Sequence, residues 1–357
     1  MTNKKWILTG QDGYDVSLQL VDSEITTGTE LGPDDVLVQL HAASLNYRDL
    51  VIAKSEGGAA GSITPNVVPG SDGAGTVVAV GSSVKSLSPG DKVVTYLAPS
   101  IPASDETTLP GFADIASGLG QKLHGTLANQ MIINQHGIIR APSNLTPVQA
   151  ATLTCSGLTA WNALFGLTGR EIKKGDWVVI QGTGGVSIAA LQFAVAVGAN
   201  VIATTSSEDK AQRLKELGAK HVINYKETED WGDVARGYTP DKKGVDMVVD
   251  VAGNSSLTQS LAAVRTDGII VLIGLLGKFD TGAIPMMSAL WRPCIVRGVL
   301  LGSRKQYRDL VKFVEEKGVV PVVDDVVFGL EEVKEAYRRL EEQKHFSKVV
   351  IKIAIEE

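Results

Sequence analysis

Residues 177–210 contain the pattern that most constrains the fold of this chain. The apolar run WVVIQ (177–181) leads into the turn Gly182–Gly185, a helix-forming segment of small residues follows, and a second apolar run ends at Thr205–Ser207. This order is typical of a βαβ dinucleotide site, in which glycines permit a tight turn and the helix N-terminus presents N–H donors to the pyrophosphate. The residues predicted to line it are Gly182, Gly184, Gly185, Val186 and Ser187.

The end of the second predicted strand distinguishes between two cofactors. A site for NAD usually has a carboxylate about 20 residues after the glycines, where it bonds the adenosine ribose. Thr205 occupies this region, and Lys210 follows within the next helix. A lysine there could simply be solvated, but a cation in the first turn opposes the helix dipole, so we favour a 2′-phosphate partner. The sequence therefore predicts NADPH, with Ser206, Lys210 and Tyr225 around that phosphate.

The composition is that of an ordinary soluble protein. The 357 residues suffice for two domains, and 44% are hydrophobic and 21% charged. A net charge of −6 argues against binding nucleic acid or an anionic membrane surface. The sequence also lacks a secretory h-region, an apolar run of membrane-spanning length and, with two cysteines, a disulfide framework. We expect a reduced, cytoplasmic protein.

The chain changes character near residue 146. Up to about residue 98, short β runs are separated by Gly, Pro and Asp, which is typical of a small antiparallel barrel. Beyond residue 146, a capped helix (146–165) precedes alternating helices and nearly continuous apolar strands, which predict a parallel sheet covered on both faces. The predicted strands of this sheet are 177–181, 200–204, 221–225, 245–251, 268–273 and 294–300.

The C-terminal region returns to β structure. Helices are predicted over 306–317 and 331–343, and the final apolar run KVVIKI reads as a strand that rejoins the first domain. We therefore place one domain at residues 1–134, completed by 304–357, and the other at 135–303. The long polar segment 99–125 is predicted to be a loop.

Nine motifs in this order resemble those of the medium-chain dehydrogenase/reductase superfamily, in particular its zinc-free, quinone oxidoreductase-like and zinc-type alcohol dehydrogenase-like branch. The motifs are SLNYRDLVI (44–52), PGSDGAGTVVAVG (69–81), PGDKV (89–93), AATLTCSGLTAWNAL (150–164), GTGGVS (182–187), GAKHVINY (218–225), DVAG (250–253), VLIG (271–274) and HFSKVVI (345–351). The resemblance implies an α/β fold: a doubly wound Rossmann parallel sheet plus a GroES-like antiparallel β-barrel catalytic domain. It further implies an active site in the cleft between the domains and a homodimer formed through the strand at 294–300.

One departure lies in the glycine turn. Ser187 replaces the third glycine of G-x-G-x-x-G, which serves close packing of helix on strand. A serine is small enough to fit there with little loss. By the same resemblance, Thr159, Gly253, Gly274 and Leu275 are expected on the nicotinamide ribose side.

The positions that hold catalytic zinc in other members of the superfamily are altered here. By the resemblance, they match Asn46, Gly70–Asp72 and Cys155, so one thiol and one carboxylate remain. Catalytic zinc requires three protein ligands, mainly His, Cys or carboxylate. We therefore predict no metal. Two cysteines also exclude a four-cysteine zinc lobe, so any fixation of segment 99–125 must come from another interaction.

Without a Lewis acid, hydride transfer calls for a substrate that is already electrophilic. We predict a zinc-independent, NADPH-dependent oxidoreductase acting on a small hydrophobic substrate with an activated C=C bond, a quinone or a reactive carbonyl. By the resemblance, Asn46 and Tyr47 face the nicotinamide as hydrogen-bond donors, and Tyr47 could deliver a proton. Tyr47 could equally fill the wall of the site, and the apolar segment 276–293 could cover a substrate or form a dimer contact.

Two alternatives to this function remain open. An NADP(H)-dependent alcohol dehydrogenase or ketone reductase fits the same motifs. A non-catalytic cofactor-binding structural module belongs to a different class, which the acidic charge balance disfavours if it is meant to bind nucleic acid.

Overall fold

The computed structural model describes residues 3–25, 28–55, 61–102, 104–274 and 284–353. The chain divides into two compact units, Met1–Leu158 with Ser303–Glu357 (unit 1) and Thr159–Gly302 (unit 2). Residues 135–158, which were predicted to belong to the second domain, belong to unit 1 because they contact its strands. Residues 138–140 pair with the strand at 93–95, and the Thr154 hydroxyl donates to the Thr95 carbonyl at 2.9 Å.

The described residues form fifteen strands. In chain order these are β1 (Lys4–Leu8), β2 (Leu18–Asp22), β3 (Asp35–Ser44), β4 (Asp72–Val80), β5 (Lys92–Thr95), β6 (Gln130–Asn134), β7 (Ile138–Arg140), β8 (Trp177–Gln181), β9 (Asn200–Thr205), β10 (His221–Asn224), β11 (Val245–Asp250), β12 (Val264–Leu272), β13 (Cys294–Gly298), β14 (Val323–Gly329) and β15 (Lys348–Lys352).

Twelve α-helices accompany them within the same ranges, together with short 3₁₀ turns. The helices are α1 (Tyr14–Ser17), α2 (Tyr47–Lys54), α3 (Phe112–Ala116), α4 (Pro147–Ala150), α5 (Leu158–Phe165), α6 (Gly185–Ala196), α7 (Glu208–Glu216), α8 (Trp231–Gly237), α9 (Leu257–Ala263), α10 (Ser288–Trp291), α11 (Arg304–Lys317) and α12 (Val333–Glu341). No helix among the described residues is long and apolar enough to cross a membrane.

Unit 1 is built on a seven-stranded, mostly antiparallel sheet. Its order is β14-β15-β3-β4-β5-β7, with β6 also paired to β3, and β1 and β2 form a separate hairpin. The predicted antiparallel structure is confirmed, and the last strand does return to this unit. The register sets Ser44 on β3 directly opposite both Asp72 on β4 and Val350 on β15. Three strands far apart in sequence therefore converge where α2 begins.

Unit 2 is a six-stranded parallel sheet in the order β10-β9-β8-β11-β12-β13. All five residues of β8 are buried, as expected for a central strand covered by helices on both faces. The order steps outward from β8 in both directions, which is the doubly wound topology. The predicted strands and fold class are confirmed, although β12 begins at Val264, four residues before its predicted start.

The segment predicted as one capped helix over 146–165 is interrupted. Thr146 caps α4 through a capping box with Gln149, as its sequence indicated. A π-helical turn at Leu153–Gly157 then separates α4 from α5. The Thr152 hydroxyl donates to the Gln149 carbonyl at 2.8 Å, and such side-chain bonds compete with regular helix bonding. Because π turns often occur at functional sites, the Cys155 and Ser156 that this one carries are of interest.

Candidate active site

The glycine turn of unit 2 lies at the carboxyl end of β8. Gly182 has φ of +74°, a conformation that favours glycine, and Gly184 is the N-cap residue of α6 without a side-chain capping bond. A Cβ built at either glycine would meet no atom of the described residues within 4 Å. The turn therefore leaves open space beside the N-terminus of α6, where the N–H groups of the first turn can bond a phosphate. This geometry suits the predicted roles of Gly185 and Val186, the first residues of α6.

Ser187 is accommodated in α6 by a specific bond. Its side chain is buried, and its hydroxyl donates to the carbonyl oxygen of Gln181 at 2.7 Å. The serine thus bridges the helix to the strand that precedes it, where a glycine would only allow close packing. Its hydroxyl is directed at the protein, which leaves its backbone as the part available to a cofactor.

The corner predicted to bind a 2′-phosphate lies where β9 and β10 end. The backbone N–H of Tyr225 donates to the Thr205 carbonyl at 3.1 Å, which holds Tyr225 beside the end of β9. Ser207 caps α7 and accepts from the backbone N–H of Lys210 at 3.4 Å. Ser206, Lys210 and Tyr225 are therefore gathered at one corner, and Thr205, rather than a carboxylate, ends the strand.

Asp250, the last residue of β11, organises the loop beyond it. Its buried carboxylate accepts from the backbone N–H of Gly253 at 2.8 Å and from the Ser260 hydroxyl at 2.6 Å. Gly253 has φ of +71°, and a Cβ on it would lie 3.3 Å from the Gly274 carbonyl. A Cβ on Gly274 would meet the Val251 carbonyl at 2.1 Å, so this close approach requires glycine there.

The structure describes one of the two other predicted cofactor residues. The buried Thr159 hydroxyl donates to the Leu300 carbonyl at 3.4 Å. Leu275 lies outside the described residues. The predicted cofactor roles of these residues stay predictions.

Unit 1 contains a buried polar cluster centred on Lys348, the first residue of β15. Its ammonium donates to the Leu45 carbonyl at 2.7 Å, to Asn46 Oδ1 at 2.5 Å and to Asp72 Oδ2 at 3.2 Å. Asp72 also accepts from the hydroxyls of Ser44 at 3.1 Å and Ser71 at 2.9 Å. All five side chains in this cluster are buried, so the cation and the carboxylate are paired away from water.

The segment that follows Asn46 is fixed by bonds at both ends. Asp49 accepts from the backbone N–H of Asn46 at 2.7 Å, and burial raises the pKa of its carboxyl to about 6. Arg48 donates to the carbonyls of Leu119 at 3.0 Å and Ile115 at 3.3 Å. The side chain of Tyr47 between them is 51% exposed, which is compatible with contact to a substrate.

Two arginines hold segment 99–125. Arg48 binds its carbonyls at Ile115 and Leu119, and Arg304 donates to those of Pro99 at 3.2 Å and Ile101 at 2.6 Å. The segment also contains the short helix α3 in place of an entirely irregular loop. Hydrogen bonds from two guanidinium groups to backbone carbonyls thus hold this segment without metal ligands.

Comparisons with known proteins agree with this architecture. A family model described as "Alcohol dehydrogenase GroES-like domain" matches residues 32–143, and one described as "Zinc-binding dehydrogenase" matches residues 185–316. A zinc-type alcohol dehydrogenase-like protein of Schizosaccharomyces pombe is 41% identical over 351 residues, 96% of each chain. The chain belongs to the medium-chain dehydrogenase/reductase superfamily.

Solved structures of this superfamily share the whole fold. One, from Sinorhizobium meliloti and provisionally described as an alcohol dehydrogenase, is 36% identical with a TM-score of 0.87 over 99% of each chain. Another, an NAD-dependent alcohol dehydrogenase, is 31% identical with a TM-score of 0.84, covering 98% of this chain and 100% of the other. As a member of the superfamily, the chain is an oxidoreductase that uses a nicotinamide cofactor.

Zinc, which the name of one family model implies, does not fit the donor set of this chain. The Asn46 oxygen and the Asp72 carboxylate are bonded to an ammonium, and the Ser71 hydroxyl donates to Asp72. Burial, together with the nearby Asp72 carboxylate, raises the pKa of the Cys155 thiol to about 12, so this thiol is neutral beside the Lys348 cluster. Within the described ranges, no group of three His, Cys, Asp or Glu side chains could hold a metal ion.

The sequence does not predict the contacts of Lys348 in this cluster. Its signal is a lysine inside the apolar run FSKVVI, where a charged side chain is expected to be buried with a partner. The partner could not be identified from local sequence, because Asn46 and Asp72 lie some 300 and 275 residues away along the chain.

Proposed function

We propose that this member of the superfamily is a zinc-independent, NADPH-dependent reductase of an activated C=C bond, a quinone or a reactive carbonyl. The observation that carries the proposal is the position of the Lys348 ammonium, bonded to Asn46 and Asp72, two of the positions that match zinc ligands by the resemblance. A second cation bound at the same side chains would be repelled by the first. The site therefore has a fixed protein cation in place of an exchangeable metal.

This arrangement limits the chemistry that the site can perform. Zinc stabilises negative charge on a carbonyl oxygen by several kcal/mol, and without it hydrogen-bond donors of the protein have to supply that stabilisation. A simple ketone thus has a larger remaining barrier than a quinone or enone, in which the developing charge is delocalised. We therefore favour a small, hydrophobic and already electrophilic substrate.

Bound NADPH would supply the hydride, and by the family resemblance Asn46 and Tyr47 act on the acceptor oxygen. The amide of Asn46 donates to that oxygen as charge develops on it. Tyr47, which is half exposed, supplies a hydroxyl that donates a hydrogen bond or passes on a proton, directly or through water. Arg48 and Asp49, bonded to the backbone, hold the beginning of α2 and keep these two side chains in place.

The preference for NADPH rests on the corner of unit 2 where β9 ends. A hydroxyl residue, Thr205, ends the strand, and Ser206, Lys210 and Tyr225 lie beside it. Hydrogen bonds to a charged group are worth roughly 1.5–3 kcal/mol each, so one such contact to the 2′-phosphate changes the affinity by about tenfold or more. NADPH should therefore bind more tightly than NADH.

One alternative is an NADP(H)-dependent alcohol dehydrogenase or ketone reductase. Its reaction class is supported by three similar proteins with alcohol dehydrogenase in their names, one of which is described as NAD-dependent. Such an enzyme would act on an unactivated alcohol or ketone and would show turnover where our proposal expects little.

A substrate panel separates these functions. Initial rates of oxidation of NADPH and NADH are measured with a quinone, an enone and a simple ketone. Our proposal expects NADPH to be preferred by at least tenfold in kcat/KM, with the quinone or enone reduced faster than the ketone. Faster reduction of the ketone would support the alcohol dehydrogenase alternative, and NADPH binding with no turnover would support a non-catalytic cofactor-binding module.

We also propose that the chain forms a homodimer through β13. This strand is at the edge of the parallel sheet, and Val296 on it is 44% exposed. Leu290 and Trp291, in α10 just before it, are 61% and 79% exposed. An edge strand with neighbouring apolar side chains is suited to pairing with a second copy. Light scattering with size-exclusion chromatography should give twice the chain mass of 37.7 kDa, and a monomer would contradict the pairing.

A further inference from the structure

We infer that Lys348 is a positioning residue that fixes the Asn46 amide, so that Asn46 Nδ2 donates to the oxygen of the substrate that becomes negative. This inference rests on the proposed reductase function and adds a role that the sequence did not indicate. Four groups carry it: the ammonium, the two ends of the Asn46 side chain and the Asp72 carboxylate.

The ammonium of Lys348 has no hydrogen left for a substrate. It has three donors, and the structure supplies three acceptors: the Leu45 carbonyl, Asn46 Oδ1 and Asp72 Oδ2. The side chain is also 4% exposed, so it is enclosed by protein. Lys348 therefore acts on a reaction through the groups that it holds.

The orientation of the Asn46 amide follows from its neighbours. Oδ1 accepts from the Lys348 ammonium at 2.5 Å and from the Ser156 hydroxyl at 3.3 Å. Rotating the amide by 180° would place its N–H donors against an ammonium, which has no acceptor to offer. The positive charge thus selects one of the two amide orientations. It also polarises the amide, which makes the N–H groups at the other end stronger donors.

The other end of the amide is a buried donor that lacks a protein acceptor. Asn46 is 8% exposed, and its Nδ2 has no hydrogen-bond partner among the described residues. Buried polar groups are nearly always bonded, so an unbonded one in a fixed orientation needs an explanation. The backbone N–H of Asn46 is already bonded to Asp49, which leaves Nδ2 as the donor of this residue that can meet a ligand.

Asp72 keeps the ammonium in place. Its carboxylate is held by the Ser44 and Ser71 hydroxyls, and one of its oxygens accepts from Lys348. The pair has no net charge, so the N–H donors of Asn46 are presented without a full positive charge that would bind any anion. Donors without a full charge are suited to a substrate oxygen that becomes negative only as hydride is transferred. They then stabilise the transition state more than the bound substrate, which is the condition for catalysis.

A mutant cycle measured on kcat tests the inference. Removing Lys348 alone would leave Asp72 charged and buried, so the variant K348M/D72N removes both charges together. We expect kcat of K348M/D72N to fall about 10- to 100-fold and that of N46A to fall about 100- to 1000-fold, with the KM for NADPH changed less than twofold. The triple variant should be no slower than N46A within about threefold, because Lys348 acts through Asn46.

Three results would overturn the inference: wild-type kcat in K348M/D72N, effects that multiply in the triple variant, or wild-type kcat in N46D. The last variant retains the oxygen that accepts from Lys348 and Ser156, replaces the N–H donors by a second oxygen and adds an acidic group beside Lys348. K352M is the matched control, since Lys352 is an exposed lysine on the same strand and should leave kcat unchanged. Absence of NADPH turnover in the wild type would instead contradict the proposed function.

Neutron diffraction from deuterated crystals of the substrate-free protein gives a readout that does not depend on activity. We expect both deuterons on the Asn46 amide to lie on the atom farther from Lys348, with no protein acceptor within hydrogen-bond distance. Protein carbonyls accepting both deuterons, or deuterons on the atom nearest Lys348, would overturn the assignment. In K348M/D72N, we expect the amide to occupy both orientations.

Discussion

The glycine turn of unit 2 and the Lys348 cluster of unit 1 are two sites of contrasting construction. The turn is made by consecutive residues, 182–187, in which the positive φ of Gly182 and the absence of side chains at Gly182 and Gly184 leave open space. The cluster is made by residues 44, 46, 71, 72 and 348, which strand pairing brings together, and Ser156 on the π-helical turn donates to Asn46. A local backbone requirement can be recognised in a sequence, whereas a buried polar network depends on the completed fold.

The comparison predicts that charge changes in the cluster have the largest effects on stability. Asp72→Ala leaves the Lys348 ammonium buried without its carboxylate, and breaking a buried pair on one side typically costs about 3–5 kcal/mol. Urea denaturation of the purified protein should show this loss in the free energy of unfolding. The double variant Asp72→Ala/Lys348→Met, which removes both charges, should recover more than half of it.

Equal stability of Asp72→Ala and wild type would contradict the buried pairing. So would a double variant that is less stable than Asp72→Ala alone. Either result would show that the cluster tolerates charge changes as an exposed surface does.

Asp49 provides a second test in unit 1, through the dependence of stability on pH. Burial raises its pKa from 3.8 to about 6, opposed by Arg48 and by the bond from the Asn46 N–H. Between these two values, the folded protein binds more protons than the unfolded chain does, so stability falls as pH rises through this window. At about 1.4 kcal/mol per pKa unit, the ionised carboxylate costs roughly 3 kcal/mol above pH 6.

Asp49→Asn should remove that cost while its oxygen still accepts from the Asn46 N–H. We expect the variant to exceed the wild type in free energy of unfolding by up to about 3 kcal/mol at pH 8 and to match it near pH 4. The charged groups nearby, Arg48, Asp72 and Lys348, are the same in both proteins. A constant difference across this range would show that Asp49 does not titrate with a raised pKa.

In unit 2, the largest expected effect is on cofactor affinity. Lys210→Ala should weaken NADPH binding by roughly 1.5–3 kcal/mol, about tenfold to over a hundredfold, and leave NADH binding unchanged. Fluorescence titration of each cofactor measures this. Lys215→Ala is the matched control, because Lys215 is an exposed lysine on the same helix. An unchanged preference for NADPH over NADH in Lys210→Ala would show that the phosphate binds elsewhere.

The smallest expected effect belongs to the glycine turn itself. Ser187→Gly restores the third glycine but removes the 2.7 Å bond from the Ser187 hydroxyl to the Gln181 carbonyl. We expect a loss of about 1 kcal/mol in the free energy of unfolding, with NADPH affinity within about threefold of wild type. Ser187→Ala, which removes the bond without adding a glycine, separates the two causes. A stability gain in Ser187→Gly would show that the serine strains the turn.

The sequence predicted the regular architecture well for a physical reason. Buried parallel strands such as β8 and β11 read as continuous apolar runs, and the glycine turn between β8 and α6 has strict local requirements. The helix predicted over 146–165 is broken because the Thr152 hydroxyl takes a carbonyl and a π turn follows, which helix periodicity does not reveal.

The cluster in unit 1 could be predicted only in part. Asn46 and Asp72 were found because their motifs resemble a family pattern. Their partner Lys348 is brought beside them only by the pairing of β15 with β3. The burial that raises the pKa of Asp49 and of the Cys155 thiol is likewise a property of packing between distant segments.

The central claim is that hydride transfer from NADPH at the Lys348 cluster needs no metal. The most direct measurement is the zinc content of the active protein by elemental analysis, together with its NADPH-dependent rate before and after dialysis against a chelator. We expect less than about one zinc per ten chains and an unchanged rate, because no ligand set among the described residues meets the needs of catalytic zinc. One zinc per chain, with activity lost on chelation and restored by added zinc, would contradict the account.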